Sequence, residues 1–344
     1  MNQFDERYVI RMAEYADIDS IMNFIRCNWN AEHILGNNRQ FFEYEHVEGQ
    51  QVNFVIAIAR NTQQIEGIYG FLKASHEEEY MDVWGVMWMV REGGGNVPFL
   101  GIELIKRLKT LIHCRSILGI GSDPKTAIPI LKLMLKYHTG KMEQYYRLNS
   151  ECQEFRVAVI NEKKTVQRVE TAETYLLKRY GQMESLREDF TFADWKECIP
   201  YKDEWYMNHR FFQHPIYKYE IYGVCNGNGK VQAVLVCRRL KQNGAEILRI
   251  VDYVGDHKAM RGLYDALGEL LSSGVEYIDF YCYGFEEALL SQAGFVKRED
   301  EDCNIIPNYF EPFVQKNIDI FVDWPLSEPC FCKADGDQDR PSRV

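Results

Sequence analysis

The chain has 344 residues, a formal net charge of −11, 46% hydrophobic residues and 26% charged residues. This composition is typical of globular proteins, the length suits two domains, and the negative charge argues against a general nucleic-acid-binding protein. No apolar run of membrane-spanning length and no hydrophobic N-terminal signal segment occurs, so we expect a cytoplasmic protein without membrane contact. Ten cysteines without a CxxC pair predict neither a metal site nor a disulfide framework.

The first half of the chain alternates helices and strands. The predicted elements, in order, are a strand at 8–11, a helix at 13–30, a hairpin of strands at 53–60 and 65–74, a strand at 83–90, a helix from 100 to 111, a strand at 116–121, a helix at 125–138 and strands at 142–148 and 155–160. The apolar run at 83–90 is too continuous for a one-sided strand, which predicts that both faces are buried.

A glycine-rich turn follows that buried strand. Gly93, Gly94 and Gly95 precede Asn96, a possible helix cap, and Pro98 near the first helical turn. Glycines let backbone N–H groups approach an anion closely, and a helix start carries partial positive charge. The pattern therefore predicts a phosphate-binding turn, although it is neither a Walker A sequence nor a GxGxxG fingerprint.

The second half repeats this order after a polar linker at 161–174. Strands are predicted at 217–225, 231–239 and 246–254, followed by a hinge at Gly255, a helix at 257–271, a strand at 277–281 and a helix at 286–292. The predicted domains are residues 1–165 and 166–332, with a polar tail at 333–344. Asp256 stands where the second copy would need its phosphate loop, so we expect that copy to bind no coenzyme.

This order of elements, with the glycine loop, resembles the GNAT superfamily of acyl-CoA N-acyltransferases. The resemblance implies an α/β fold of two tandem domains, each a twisted, mostly antiparallel mixed sheet flanked by helices, the second degenerate and Fem-like. Family members carry an Arg/Gln-x-x-Gly-x-Gly/Ala loop whose amides hold the coenzyme A pyrophosphate. With Gly101 at the second glycine, Asn96 replaces Arg/Gln and Phe99 replaces the first glycine.

The resemblance also assigns roles to individual residues. Acetyl-CoA would be the co-substrate, without a metal, and its pantetheine would pair with the strand at Met89 and Val90. The pyrophosphate would lie against the loop residues Gly93, Gly94, Gly95, Asn96 and Gly101.

Catalysis needs an acid for the departing thiolate and a base for the attacking amine. GNAT enzymes often use a tyrosine after the coenzyme-binding helix, which favours Tyr137, with Tyr145 and Tyr146 as alternatives. Glu92, beside the loop, is the first candidate for the base, ahead of Asp82 and His76. No recognisable Ser or Cys nucleophile motif occurs, which favours direct transfer without an acyl-enzyme.

Aromatic and basic side chains suggest where an acceptor could bind. The candidate substrate-binding residues are Trp29, His33, Trp205, Arg210, His214 and Tyr217. Such side chains suit stacking on a sugar ring and hydrogen bonding to hydroxyls or phosphates. We therefore expect an N-acyltransferase acting on a small amine, such as an amino sugar or sugar nucleotide in bacterial surface-polysaccharide synthesis. The alternatives are a Fem-like aminoacyl transferase using charged tRNA and a non-catalytic ligand-binding protein.

Overall fold

The computed structural model describes residues 2–93, 95–169 and 173–342. The chain forms two compact units, each described separately below. Unit 1 comprises Met1–Thr139, Asp323–Leu326 and Arg340–Val344, and unit 2 comprises Gly140–Val322 and Ser327–Asp339. Short segments from the end of the chain therefore complete unit 1, which the predicted boundaries at 165 and 332 do not provide for.

The first half of the chain contributes fourteen labelled elements. In order they are α1 (Gln3–Arg7), β1 (Tyr8–Glu14), α2 (Ile18–Asn28), α3 (Ile34–Asn37), α4 (Arg39–His46), β2 (Val47–Glu48), β3 (Gln51–Ala59), β4 (Ile65–Lys73), β5 (Asp82–Val90), α5 (Leu100–Leu111), β6 (Ser116–Ile120), α6 (Ala127–Ile130), β7 (His138–Lys141) and β8 (Glu143–Leu148). After α6 the helix continues as one π-helical turn, Leu131–Leu135.

The second half follows the linker. In order its elements are β9 (Leu176–Tyr180), α7 (Met183–Asp189), α8 (Glu204–Met207), β10 (Tyr219–Cys225), β11 (Val231–Gln242), β12 (Ala245–Gly255), α9 (Tyr264–Leu271), β13 (Tyr277–Tyr283), α10 (Glu287–Gln292), β14 (Val296–Lys297), β15 (Tyr309–Phe310), β16 (Phe313–Val314), β17 (Phe321–Trp324) and β18 (Phe331–Cys332). None of the helices in the described ranges is both long and apolar enough to cross a bilayer.

The first sheet has the order β1-β3-β4-β5-β6-β17-β7, with β2 paired to β3. All pairs from β1 to β5 are antiparallel, and β5 and β6 are parallel. Apolar side chains of α2 and α4 pack on one face of this sheet, and those of α5 pack in the core cluster on the other. Side chains on both faces of β3 and β4 are buried, which explains the continuous apolar runs in these strands.

The second sheet has the order β14-β8-β13-β12-β11-β10-β9, and β18 pairs with β13. Its apolar face packs under α9, through Leu267 and Leu271 among others. A buried ion pair lies between two neighbouring strands, where Arg249 Nη2 lies 2.7 Å from Asp279 Oδ2. Two mixed, mostly antiparallel sheets with flanking helices confirm the predicted fold class.

Four local predictions need correction. Residues 155–160 form no strand, only an isolated bridge between Val159 and Ile305. The predicted closing strand at 142–148 is β8, which pairs with β13 in the second sheet. The predicted helix at 257–271 is a 3-10 turn, His257–Gly262, followed by α9.

The fourth correction concerns the predicted polar tail at 333–344. Lys333, Asp335 and Asp339 are all nearly fully buried. Each of the two carboxylates has a cationic partner, since Lys202 lies 2.6 Å from Asp335 and Arg238 lies 2.6 Å from Asp339. Polar composition alone does not reveal such pairing, and the segment is part of the interior of unit 2 as far as Asp339.

Candidate functional site

Two parallel strands of unit 1 diverge partway along their length. β5 pairs with β6 from Asp82 opposite Ser116 to Gly85 opposite Gly119. β5 remains paired with β4 as far as Val90. None of the pairings in the described ranges joins β6 to β5 beyond Gly85, so residues 86–90 present one backbone edge, roughly 16 Å long, without a strand partner.

The open edge leads to the start of α5. The predicted residues Met89 and Val90 lie on this edge and are half-buried. Gly93 and Gly95 are exposed, have φ values of +72° and +63°, and leave open space where a Cβ would stand. Gly94, also predicted to bind phosphate, lies outside the described residues.

The loop is held by side-chain hydrogen bonds from within unit 1. Asn96 Nδ2 donates to the Arg91 carbonyl at 2.6 Å, and the Val97 N–H donates to the Tyr8 hydroxyl at 3.2 Å. The Tyr8 hydroxyl also lies 3.4 Å from Asn96 Oδ1. Asn96, predicted as a phosphate ligand, therefore orders the loop through its side chain.

The first turn of α5 presents backbone N–H groups without a side-chain cap. Phe99, at the N-cap, has φ of +66° and is 61% exposed. This left-handed conformation is costly for a non-glycine residue, and Phe99 occupies the position of the first motif glycine. A Cβ on Gly101 would lie 2.5 Å from the indole nitrogen of Trp88, which explains the second glycine.

These features fit the two ends of coenzyme A. An unpaired strand edge can accept and donate the hydrogen bonds of an extended amide chain, as an added strand would. An uncapped helix start beside glycines offers N–H groups to a pyrophosphate. The edge of β5, the loop glycines and the start of α5 could therefore hold coenzyme A.

Two glycines mark the point where the strands separate. A Cβ on Gly85 would overlap the Tyr69 hydroxyl, and a Cβ on Gly119 would overlap the Asp323 carboxyl group. Glycine at both positions therefore lets two polar side chains approach the backbone at this point. Asp323 reaches it from β17, the neighbour of β6 in the sheet.

Asp323 is a buried carboxylic acid that accepts one side-chain hydrogen bond from the described part of the chain. It is 3% exposed, and Ser122 Oγ donates to its Oδ2 at 2.6 Å. Burial raises the pKa of Asp323 to about 6, and the Ser122 hydrogen bond opposes that rise. The group can therefore change protonation state near neutral pH.

Tyr137, the predicted catalytic acid, lies within electrostatic range of Asp323. Burial raises the pKa of Tyr137, and the charge on Asp323 adds to the rise. The Tyr137 hydroxyl is buried and has no hydrogen-bond partner among the described residues. It follows the π-helical turn and Lys136, which has φ of +58°, and such helix irregularities are frequent at functional sites.

Glu92, the predicted base, lies elsewhere. It is exposed in the glycine loop beyond the end of β5, roughly 20 Å along the chain from Gly85. Tyr137 and Asp323 therefore interact electrostatically in the interior of unit 1, whereas Glu92 is exposed in the loop.

The predicted substrate residues of unit 1 differ in exposure. Trp29 is 55% exposed after α2. His33 is buried, and its Nδ1 accepts from the Leu35 N–H at 3.2 Å. Burial, with the charge of Arg340, lowers the pKa of His33 to about 4, so this ring is neutral at pH 7.

The predicted substrate residues of unit 2 contact other residues of unit 2. Arg210 donates to the carbonyl oxygens of Ala334 and Asp339. His214 accepts from the Tyr217 N–H at 2.9 Å and stacks on the Tyr217 ring. Trp205 stacks on the His209 ring with centroids 5.2 Å apart. Buried Arg210 and His214 thus contribute to the interior of unit 2.

In unit 2, a segment near the end of the chain contacts the two corresponding strands where their parallel pairing ends. β12 pairs in parallel with β13 from Leu248 to Ile250. Beyond that point Cys332 pairs with Cys282, and the Ala334 N–H donates to the Val251 carbonyl at 2.7 Å. We call residues 331–334 the plug. It pairs with β13, the counterpart of β6, and makes one backbone hydrogen bond to β12, the counterpart of β5.

Sequence reasoning missed Asp323, Ser122 and Tyr69. A signal exists in retrospect, because Gly85 and Gly119 interrupt two buried strands and such glycines indicate close approach by another group. Which group approaches could not be read from the sequence, since Asp323 is far from both glycines along the chain.

No protein-family model and no curated protein sequence matches the chain. Solved structures do. A GCN5-related N-acetyltransferase from Anabaena variabilis is 11% identical, with 92% of this chain and 72% of that chain covered and a TM-score of 0.55. A conserved Enterococcus faecalis protein of unknown function is 10% identical, covers 92% and 71% of the two chains and has a TM-score of 0.54. The chain thus has a GNAT-like fold, as the sequence predicted.

Proposed function

We propose that unit 1 is an acyl-CoA-dependent N-acyltransferase and that it transfers an acetyl or other short acyl group to an amine. The observation that carries this proposal is the open edge of β5, which runs from the strand divergence at Gly85 to the uncapped start of α5. Coenzyme A would supply the activated acyl group as a thioester. The chain would supply backbone hydrogen bonds along the edge, N–H groups for the pyrophosphate and a titratable carboxyl group at the divergence.

For the acceptor we propose a small-molecule amine, with amino sugars and sugar nucleotides as the first compounds to test. This choice rests on the sequence resemblance alone, because the aromatic segment at 205–219 packs in unit 2. A Fem-like transferase or a non-catalytic binding protein remains the second candidate, since the fold is compatible with both.

Isothermal titration calorimetry with acetyl-CoA tests the proposal. We expect one molecule bound per chain, and weaker binding of acetyl-pantetheine because it lacks the phosphates. A thiol-release assay with panels of amino-sugar nucleotides, amino acids and polyamines then identifies the acceptor. Absence of acetyl-CoA binding would reject the proposal, and thiol release with amino acids or polyamines alone would reject the sugar acceptor only.

A further inference from the structure

We propose that Asp323 is the proton acceptor of this transfer and that it contacts the attacking amine at the point where β5 and β6 separate. The inference rests on the proposed function and adds the group that makes the amine nucleophilic. It assigns catalysis to a residue outside the continuous first part of unit 1, which ends at Thr139.

The first argument is the position of the carboxyl group. It lies directly over Gly119, which pairs with Gly85 in the last pair before the strands separate. Ser122 holds Oδ2. None of the described residues donates a hydrogen bond to Oδ1, so this oxygen can receive a proton.

The second argument is that no basic side chain among the described residues forms an ion pair with Asp323. Other buried aspartates of this protein pair with basic side chains, as Asp82 does with Arg115 at 2.5 Å and Asp252 does with Lys202 at 2.5 Å. Asp323 has no ion pair among the described residues and is still almost fully buried. Buried carboxyl groups without a cation are costly and are concentrated at functional sites.

The proton transfer balances in the following way. The amine nitrogen forms a bond to the acyl carbon, and the bond from that carbon to sulfur breaks. The nitrogen's proton moves to Asp323 Oδ1, and the sulfur leaves with the bonding electron pair and takes a proton from solvent. Asp323 then releases its proton to solvent. Tyr137 and Tyr69 are the titratable groups on which the Asp323 charge acts, and both keep their protons because burial raises their pKa values.

The experiment measures kcat/KM against pH by thiol release, using acetyl-CoA and a panel of primary amines. For the unaltered protein we expect activity to rise through an apparent pKa near 6, because the carboxyl group must be ionised to accept a proton. Asp323→Asn should lower kcat about 100- to 10,000-fold and abolish this rise. Its affinity for acetyl-CoA, measured by calorimetry, should not change.

Two further variants make the test specific. Ser122→Ala should move the rise to higher pH, because it removes the hydrogen bond that lowers the pKa of Asp323, and a purely structural role would not shift the profile. Asp19→Asn, whose side chain is 85% exposed, is the matched acid-to-amide control and should behave like the unaltered protein.

The outcomes separate the inference from the proposed function. Turnover by Asp323→Asn with an unchanged pH profile would overturn the inference and leave the acyltransferase intact. If Glu92→Gln, and not Asp323→Asn, loses the pH-dependent rise, the inference is overturned and Glu92 is the proton acceptor. Failure of the unaltered protein to bind acetyl-CoA would overturn both.

Discussion

The two strand divergences of this protein differ in what occupies them. In unit 1 none of the described strands pairs with the edge of β5 beyond Gly85, whereas in unit 2 the plug pairs with β13 and bonds to Val251. The same local topology therefore leaves a strand edge without a strand partner in one case, among the described residues, and gives a paired strand edge in the other. We predicted that the second copy binds no coenzyme because of Asp256, and the plug gives a more direct physical reason.

The largest expected effect concerns Lys333 in the plug. Burial, with Arg249 next, lowers the pKa of Lys333 to about 7 from 10.5. As the pH falls, Lys333 is therefore protonated in the unfolded chain before it is protonated in the folded protein. The free energy of unfolding decreases as the pH falls from about 10 to about 7. Lys333→Met lacks this loss, so its free energy of unfolding relative to the unaltered protein should increase by roughly 4–5 kcal/mol between pH 10 and pH 7. Urea denaturation at both pH values measures it, and a constant difference would contradict the prediction.

Phe331 tests the plug through packing. Its side chain is fully buried, so Phe331→Ala should cost about 3–5 kcal/mol of unfolding free energy and speed amide exchange at Cys282 and Tyr283. Met89→Ala on the open edge is the matched control and should cost markedly less, because Met89 is only half-buried. Similar costs for both variants would contradict the contrast between a filled and an open edge.

Asp323 gives the opposite pH dependence in unit 1. Its folded pKa of about 6 lies above the ordinary value of 3.8, so the unfolded chain loses this proton first. The stability that Asp323 provides is therefore present below about pH 4 and is lost by about pH 6. The free energy of unfolding of Asp323→Asn, relative to the unaltered protein, should increase by on the order of 3 kcal/mol as the pH rises from 4 to 7. Thermal unfolding at these pH values checks this without any substrate.

The smallest effect concerns the glycine loop. Gly95→Asp should weaken acetyl-CoA binding about tenfold, since a carboxylate near the pyrophosphate adds repulsion, and aspartate tolerates φ of +63°. Gly229→Asp is the control, because Gly229 has φ of +77° and equal open space in unit 2. Equal affinities for both variants would place the phosphates elsewhere.

Sequence patterns predicted the local elements well where periodicity and buried runs were strong. The strand at 83–90 and the helix at 100–111 follow from apolar spacing, and the glycine loop follows from composition. The catalytic role of Tyr137 stays a prediction from the family resemblance. Asp323 and the plug could not be predicted in this way. Their roles depend on pairing between segments that are distant in the chain, and their polar or short sequences carry no periodic signal.

The composition of unit 1 has a consequence for synthesis of the chain. The ribosome releases the N-terminal segment first, but Asp323–Leu326 emerges only after roughly 180 more residues, or about 10–40 s at ordinary elongation rates. During that interval the nascent chain has the strand and loop that we propose to bind coenzyme A but lacks the carboxyl group of Asp323 beside Gly119. A product that ends before residue 323 lacks Asp323 and the end of β17, which lies between β6 and β7 in the first sheet, so the two proposals together make chain completion a condition for activity.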